Sequence, residues 1–257
     1  GFVSIMYAIL RQLYFSPIRL PSDIAQEFPN LQLLGILNLF KNTDELQTSE
    51  AESVNSLATN LLISIENVST SSECPVVLIT GPTPLVGKST TSYLLSNALA
   101  DRKKKTLVLD LDYKRGDLHK NFNKNTTKTS HIIEKDFNSN DFKINDFLYF
   151  LLRPKGQAAK ALSIFESMVF AKRIEELKKE FDIIIFDTPP ILSVSEALVL
   201  AKFCDIICPV VRHNESKFRD IAQMLQEFEL IKKDVDYAIY NAFSKPKGYY
   251  GYDYYAY

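Results

Sequence analysis

The chain has 257 residues, 46% of them hydrophobic and 24% charged, which is enough apolar material for one sizeable core and too much for a disordered polymer. A formal net charge of -1 excludes the broad basic field on which generic nucleic-acid binding depends. Cys74, Cys204 and Cys208 are odd in number and too sparse for a secreted disulfide framework, so they fit a reducing compartment.

The first residue is glycine, and GFVSIMYAIL runs apolar up to Arg11. About ten apolar residues are half of what a bilayer crossing needs. Three readings compete for residues 1–13: the end of a transmembrane or membrane-proximal helix with Arg11 and Arg19 on the cytoplasmic side, a signal peptide, or a helix of the folded domain. No charged segment precedes the run and no small-residue cleavage site follows it, which disfavours the signal peptide. The expectation is a chain that begins inside a longer protein, at the end of a membrane helix. Residues 14–47 mix Pro17, Pro21 and Pro29 with short apolar pieces such as LQLLGILNLF and read as a juxtamembrane connector. Next, DELQTSEAESVNSLATNLLISIE lacks Gly and Pro and spaces Leu57, Leu61 and Ile65 four apart, which predicts a helix with one apolar face. A folded domain over 48–244 is expected, followed by a tail over 245–257.

Within that domain PVVLIT, TLVLDLD, FLYFLL, FDIIIFD, DIICPVV and DYAIYNAF are short, nearly uninterrupted apolar runs separated by longer amphipathic stretches. Continuous runs mark strands covered on both faces, so the prediction is an α/β fold with a mostly parallel sheet flanked by helices on both faces. Cys204 and Cys208 belong to one such run and read as core thiols, not as a metal pair. Ligands of such sheets bind beyond the carboxyl ends of the strands.

Three motifs fall there. The run VVLITGPTPLVGKSTTSYLL is strand, loop and helix, with Gly87, Lys88, Ser89 and Thr90 where the helix begins. Unpaired N–H groups and the positive dipole end suit phosphate oxygens. Lys88 would add a charge to the β- and γ-phosphates, and the Ser89 hydroxyl would ligate magnesium. A strict P-loop has glycine where Pro82 stands; here Gly81 comes one step earlier, and Thr83, Pro84 and Val86 fill the cradle. The second motif, TLVLDLDYKRG, sends Asp110 and Asp112 out of a strand together, followed by Lys114 and Arg115. Two acids beside a triphosphate serve a cation or take a proton. In the third, FDIIIFDTPP, Asp187 ends a strand as an acid that orients magnesium opposite a P-loop would, and Pro189 and Pro190 stiffen the turn.

With these residues the chain resembles the bacterial tyrosine kinases that regulate capsule and exopolysaccharide assembly, over about Glu50 to Asn241 and the tail. Their P-loop keeps a proline where Pro84 stands, and their second and third motifs read like DLDYKRG and IIIFDTPP. The resemblance implies a P-loop fold of the MinD and ParA type, with ATP and Mg2+ as cofactors. MinD-type ATPases carry an extra lysine in the loop, where this chain has Thr83. The family ends in a tyrosine-rich tail; here the last nine positions hold Tyr249, Tyr250, Tyr252, Tyr254, Tyr255 and Tyr257 as expected phosphoacceptors.

By resemblance Lys88 and the loop amides hold phosphates, while Ser89, Asp112 and Asp187 hold the metal. Asp110 takes the phenol proton, and Asn241 either contacts the adenine or forms a turn. Expected partners are the tyrosines of neighbouring copies, a membrane-embedded upstream segment or activator, and a protein-tyrosine phosphatase, at the cytoplasmic face of the bacterial inner membrane. Nucleic acid is not expected as a partner. Some positions depart from the family. A glutamate followed by two arginines usually makes the ring contact, and here Glu52 is followed by Asn55 and Ala58. The stretch KGQAAKALSIFESMVF replaces a proline-rich segment, and Glu196 replaces an aspartate. A membrane-associated ATPase of the MinD type and a nucleotide-binding scaffold of the export machinery stand as alternatives.

Overall fold

The computed structural model describes residues 6, 16–40, 42–43, 45–67, 74–114, 118, 132–154 and 156–244. Seven strands form its sheet: β1 (Gln32–Asn38), β2 (Val76–Thr80), β3 (Thr106–Asp110), β4 (Leu148–Leu151), β5 (Ile183–Asp187), β6 (Ile206–Arg212) and β7 (Tyr237–Phe243). They lie in the order β1-β7-β6-β2-β5-β3-β4, and every neighbouring pair is parallel. All residues of β2, β3, β4 and β5 are buried, as the continuous apolar runs require of a sheet covered on both sides. The predicted α/β architecture stands.

The two faces are sorted by the period of the strand. Val77, Ile79, Ile183 and Ile185 point to one side, where α2 (Thr48–Asn67) brings Val54, Leu57 and Leu61 and α3 (Lys88–Asp101) brings Leu94, Leu95 and Leu99. Val76, Leu78, Ile184 and Phe186 point to the other. There they meet α1 (Pro21–Glu27), α4 (Ala161–Phe165), α5 (Met168–Leu177), α6 (Glu196–Ala201) and α7 (Phe218–Leu230). Helix α2 opens where the Glu50 carboxylate accepts from the Gln47 N–H at 2.8 Å, and α5 where the Ser167 hydroxyl accepts from the Phe170 N–H at 3.1 Å.

Phe170 is the hub of the second face. It is fully buried and sits 5.4 Å from Phe165, 5.3 Å from Phe203 and 6.5 Å from Phe186, ring centre to ring centre. Phe170→Ala is expected to lower the unfolding free energy by about 3–5 kcal/mol, read from the midpoint of urea denaturation.

The reading of residues 14–47 as a connector needs correction, because much of it is folded into the domain. Pro21 opens α1 at the position where its missing N–H costs nothing. Strand β1 pairs in parallel with β7, Gln32 opposite Tyr237 through Asn38 opposite Phe243. Ile18, Ile24, Leu34 and Leu37 are buried, and the Ile18 N–H donates to the Ser216 carbonyl at 2.8 Å. The segment covers what would otherwise be the open edge of β7. Gly35 belongs there because α2 comes close: a Cβ at that position would stand 2.9 Å from Leu57 Cδ1.

Cys204 and Cys208 are buried and free, as expected of core thiols. Among the described residues no helix is long and apolar enough to cross a membrane. Residues 1–13, apart from Met6, and the tail 245–257 lie outside the described residues.

Candidate functional site

Strand β2 ends at Thr80, and the phosphate loop occupies residues 81–87 before α3 starts at Lys88. Two glycines are dictated by space. A Cβ on Gly81 would stand 2.6 Å from Val86 Cγ2 and 3.0 Å from the Val210 carbonyl. Gly87 has φ 97°, and a Cβ there would collide with the Asn241 amide nitrogen. Position 82 has no such need, since Pro82 is buried and uses only its carbonyl, which accepts from the Leu192 N–H at 3.3 Å. The Gly81 carbonyl accepts from Ile191 N–H at 3.0 Å, so the turn after Asp187 braces the loop. Thr83 is half-buried, whereas Pro84 and Leu85 form an exposed tip.

The acids arrive from two neighbouring strands. The β3 and β5 ladder sets Asp110 opposite Asp187, and the Leu111 N–H donates to the Asp187 carbonyl at 2.9 Å. Asp187 is fully buried; its Oδ2 accepts from the Ser89 hydroxyl at 2.7 Å and its Oδ1 from Ser92 at 3.0 Å. Burial pushes its pKa up to about 6, against the pull of the Ser89 hydroxyl and the Lys88 ammonium. Lys88 is itself 8% exposed. Burial lowers its pKa, and Asp187 and Asp112 oppose that shift. Thr90 is half-buried on the first turn of α3.

Asp110 is pushed well above the usual carboxylate range, first by burial and next by Asp187. Neither of its oxygens has a well-formed hydrogen bond among the described residues; the Arg153 guanidinium and the Asp112 N–H are its favourable neighbours. Asp112 is buried, and its Oδ1 accepts from the Lys114 N–H at 3.2 Å. Lys114 Nζ then reaches Glu196 Oε1 on the first turn of α6 at 3.1 Å. Among the described residues no three His, Cys, Asp or Glu side chains form a metal cage. Magnesium is held by one or two carboxylates together with substrate phosphates, and the Ser89 hydroxyl 2.7 Å from the Asp187 carboxylate is an oxygen donor set of that kind.

The structure thus brings Gly81, Val86, Gly87, Lys88, Ser89, Asp110, Asp112 and Asp187 to one end of the sheet. Asn241 joins them in another capacity. Its amide is buried, the nitrogen donating to the Val86 carbonyl at 2.9 Å and the oxygen accepting from the Ala242 N–H at 2.8 Å. The nitrogen end therefore braces the loop from β7, while the oxygen end is held by the backbone of β7 itself. His213 Nδ1 is partnered by the Tyr240 hydroxyl at 2.9 Å.

Sequence reasoning missed Ser92, Arg153 and Arg212. Ser92 lies one helical turn after Lys88, a spacing that could have revealed it. Arg212 ends β6 and turns its guanidinium toward Gly87, and its Nε pairs with Glu215 at 2.8 Å. Arg153 lies just past β4 and carries no local signal. The six tail tyrosines and Arg115 lie outside the described residues.

A profile of the AAA domain family matches residues 84–240. The tyrosine-protein kinase ptk of Acinetobacter johnsonii is 26% identical over 211 residues, 80% of this chain and 27% of that protein. Tyrosine-protein kinase CpsD of Streptococcus pneumoniae is 28% identical over 183 residues, 69% of this chain and 78% of that one. Among solved structures, the kinase domain of Escherichia coli tyrosine kinase ETK superposes with a TM-score of 0.71 at 20% identity, covering 91% of this chain and all of that one, and so shares the fold. The chain spans about a quarter of the Acinetobacter relative. With its P-loop, its paired acids and its third strand-end aspartate, the chain belongs to the AAA domain family, and within it the chain is similar to bacterial tyrosine-protein kinases.

Proposed function

We propose that this chain transfers the γ-phosphoryl group of ATP to tyrosine hydroxyls, those of the tails of neighbouring copies included, and so regulates capsule or exopolysaccharide synthesis and export. The convergence of three strand ends on one point, marked by the 2.7 Å bond from Ser89 to Asp187, carries this function.

In the transfer, the bond from the γ-phosphorus to the β,γ-bridging oxygen breaks, a bond from phosphorus to the phenol oxygen forms, and ADP leaves. The loop amides and Lys88 hold the phosphates in line with the acceptor. Ser89 and Asp187, with Asp112, would hold Mg2+. When bound, the ion neutralises phosphate charge and fixes the polyphosphate. Asp110 accepts the phenol proton. A phenol has a pKa near 10, so the upward push on Asp110 from burial narrows the gap between donor and acceptor.

Each phosphate adds about -1.5 to -2 charges. Several on residues 249–257 would repel one another, so an unphosphorylated tail permits association and a phosphorylated one favours release. A protein-tyrosine phosphatase would reset the cycle, and a membrane-embedded upstream segment or activator would place the domain at the cytoplasmic face of the inner membrane. Asn55 is exposed on α2, where a ring contact would be carried, whereas Ala58 is fully buried against its own fold.

Incubation with Mg·ATP followed by mass mapping of phosphotyrosine tests the proposal. Label at Tyr249 to Tyr257 is expected. ATP binding with no labelled tyrosine would overturn it and favour a nucleotide-binding scaffold.

A further inference from the structure

Asp110 is 2% exposed, yet its own loop supplies no well-formed hydrogen bond to either oxygen. A cation reaches it from a different strand. Arg153 stands just beyond β4, its Nε 3.9 Å from Asp110 Oδ2, and its Nη1 donates to the Tyr113 carbonyl at 2.7 Å. One guanidinium therefore touches both ends of the turn that carries Asp112. The reach is set by the sheet, since β4 lies parallel to β3 with Leu151 opposite Leu109. The side chain is 26% exposed, so water screens the contact only in part.

Two features make this contact consequential. The turn brings Asp110 and Asp112 close to Asp187, and three carboxylates repel one another unless a fixed cation opposes them. A planar guanidinium can also hold a carboxylate and a carbonyl at a set angle, which an ammonium on a flexible stem cannot do. We propose that Arg153 is a positioning residue for phosphoryl transfer, acting through Asp110 and the turn it closes. The inference rests on the kinase function above, and it adds a residue that lies outside the three strand-end motifs.

The test compares wild type with Arg153→Met, Arg153→Lys, Asp110→Asn and the double variant Asp110→Asn with Arg153→Met. Rates of phosphotyrosine formation are measured at varied Mg·ATP, and thermal unfolding is recorded for every protein. Arg153→Met is expected to lower kcat by about 10–100-fold with the KM for ATP changed by less than about twofold, as loss of an outer positioning contact does. Arg153→Lys should recover part of the rate, and it carries the comparison if the methionine variant does not fold. In the Asp110→Asn background the arginine change should cost less than about threefold, because its effect runs through the missing carboxylate.

Wild-type kcat in Arg153→Met, or an equal loss in both backgrounds, overturns the inference. If wild type labels no tyrosine, or Asp110→Asn falls below detection, the unfolding cycle decides. Non-additive shifts in Tm uphold the contact, and additive shifts remove it. Failure of labelling in wild type counts against the kinase function alone.

Discussion

Lys88→Met is expected to reduce tyrosine phosphorylation by about 10²–10³-fold, the usual cost of removing one preorganised charge from the transition state. The expectation follows from where the ammonium sits. It is nearly buried at the start of α3, between Asp187 and Asp112, and burial already disfavours its charge. An ammonium kept there at such a cost is held for a ligand that repays it, and phosphate oxygens at a helix start do so. Methionine keeps the apolar stem and sheds the charge, so the fold should survive, with far-UV circular dichroism unchanged. The nucleotide affinity should weaken, since the loop amides would hold the phosphates alone. Labelling at the wild-type rate would sink the assignment of this loop to phosphoryl transfer.

Much of this site was legible because its signals are short and contiguous. Gly87, Lys88 and Ser89 mark one turn, Asp110 and Asp112 another, and Asp187 ends a run of five buried residues. A parallel sheet does the remaining work, for strands with ends in register deliver their next residues to the same edge. Residues that act across the sheet were not legible. Arg153 meets Tyr113 forty positions away in sequence, and nothing in FLYFLLRP announces it. Asn241 looked like a base contact or a turn residue, yet it spends its amide on the Val86 carbonyl. That bond depends on β7 lying beside β6, a fact of topology with no local mark.

Strand β1 was missed for a related reason. QLLGILN is a single short apolar piece after a proline-bearing turn, and Gly35 within it argues against a strand when read alone. Its place comes from the edge of β7 that it covers and from the approach of Leu57, for which only glycine leaves room.

Asp187 carries the other large effect, and it couples activity to stability with opposite signs. The carboxylate is fully buried, and burial raises its pKa from 3.8 to about 6 even though two hydroxyls and Lys88 stabilise the anion. Between those values the folded protein holds a proton that the unfolded chain releases. The group therefore favours folding in acid, and that contribution is lost as pH rises through 6. Asp110 is raised for the same reason and adds in the same direction. Asparagine at position 187 cannot ionise. Asp187→Asn is thus expected to lower phosphorylation by at least about 10²-fold. In the nucleotide-free protein it should also gain stability over wild type on going from pH 5 to pH 8, by about 1.5 kcal/mol. Urea denaturation of both proteins at the two pH values measures the change, and a difference independent of pH would show that Asp187 is already ionised in acid. Saturating Mg·ATP should then reverse the order at pH 8, because a ligand that binds only the folded site stabilises the protein able to hold it.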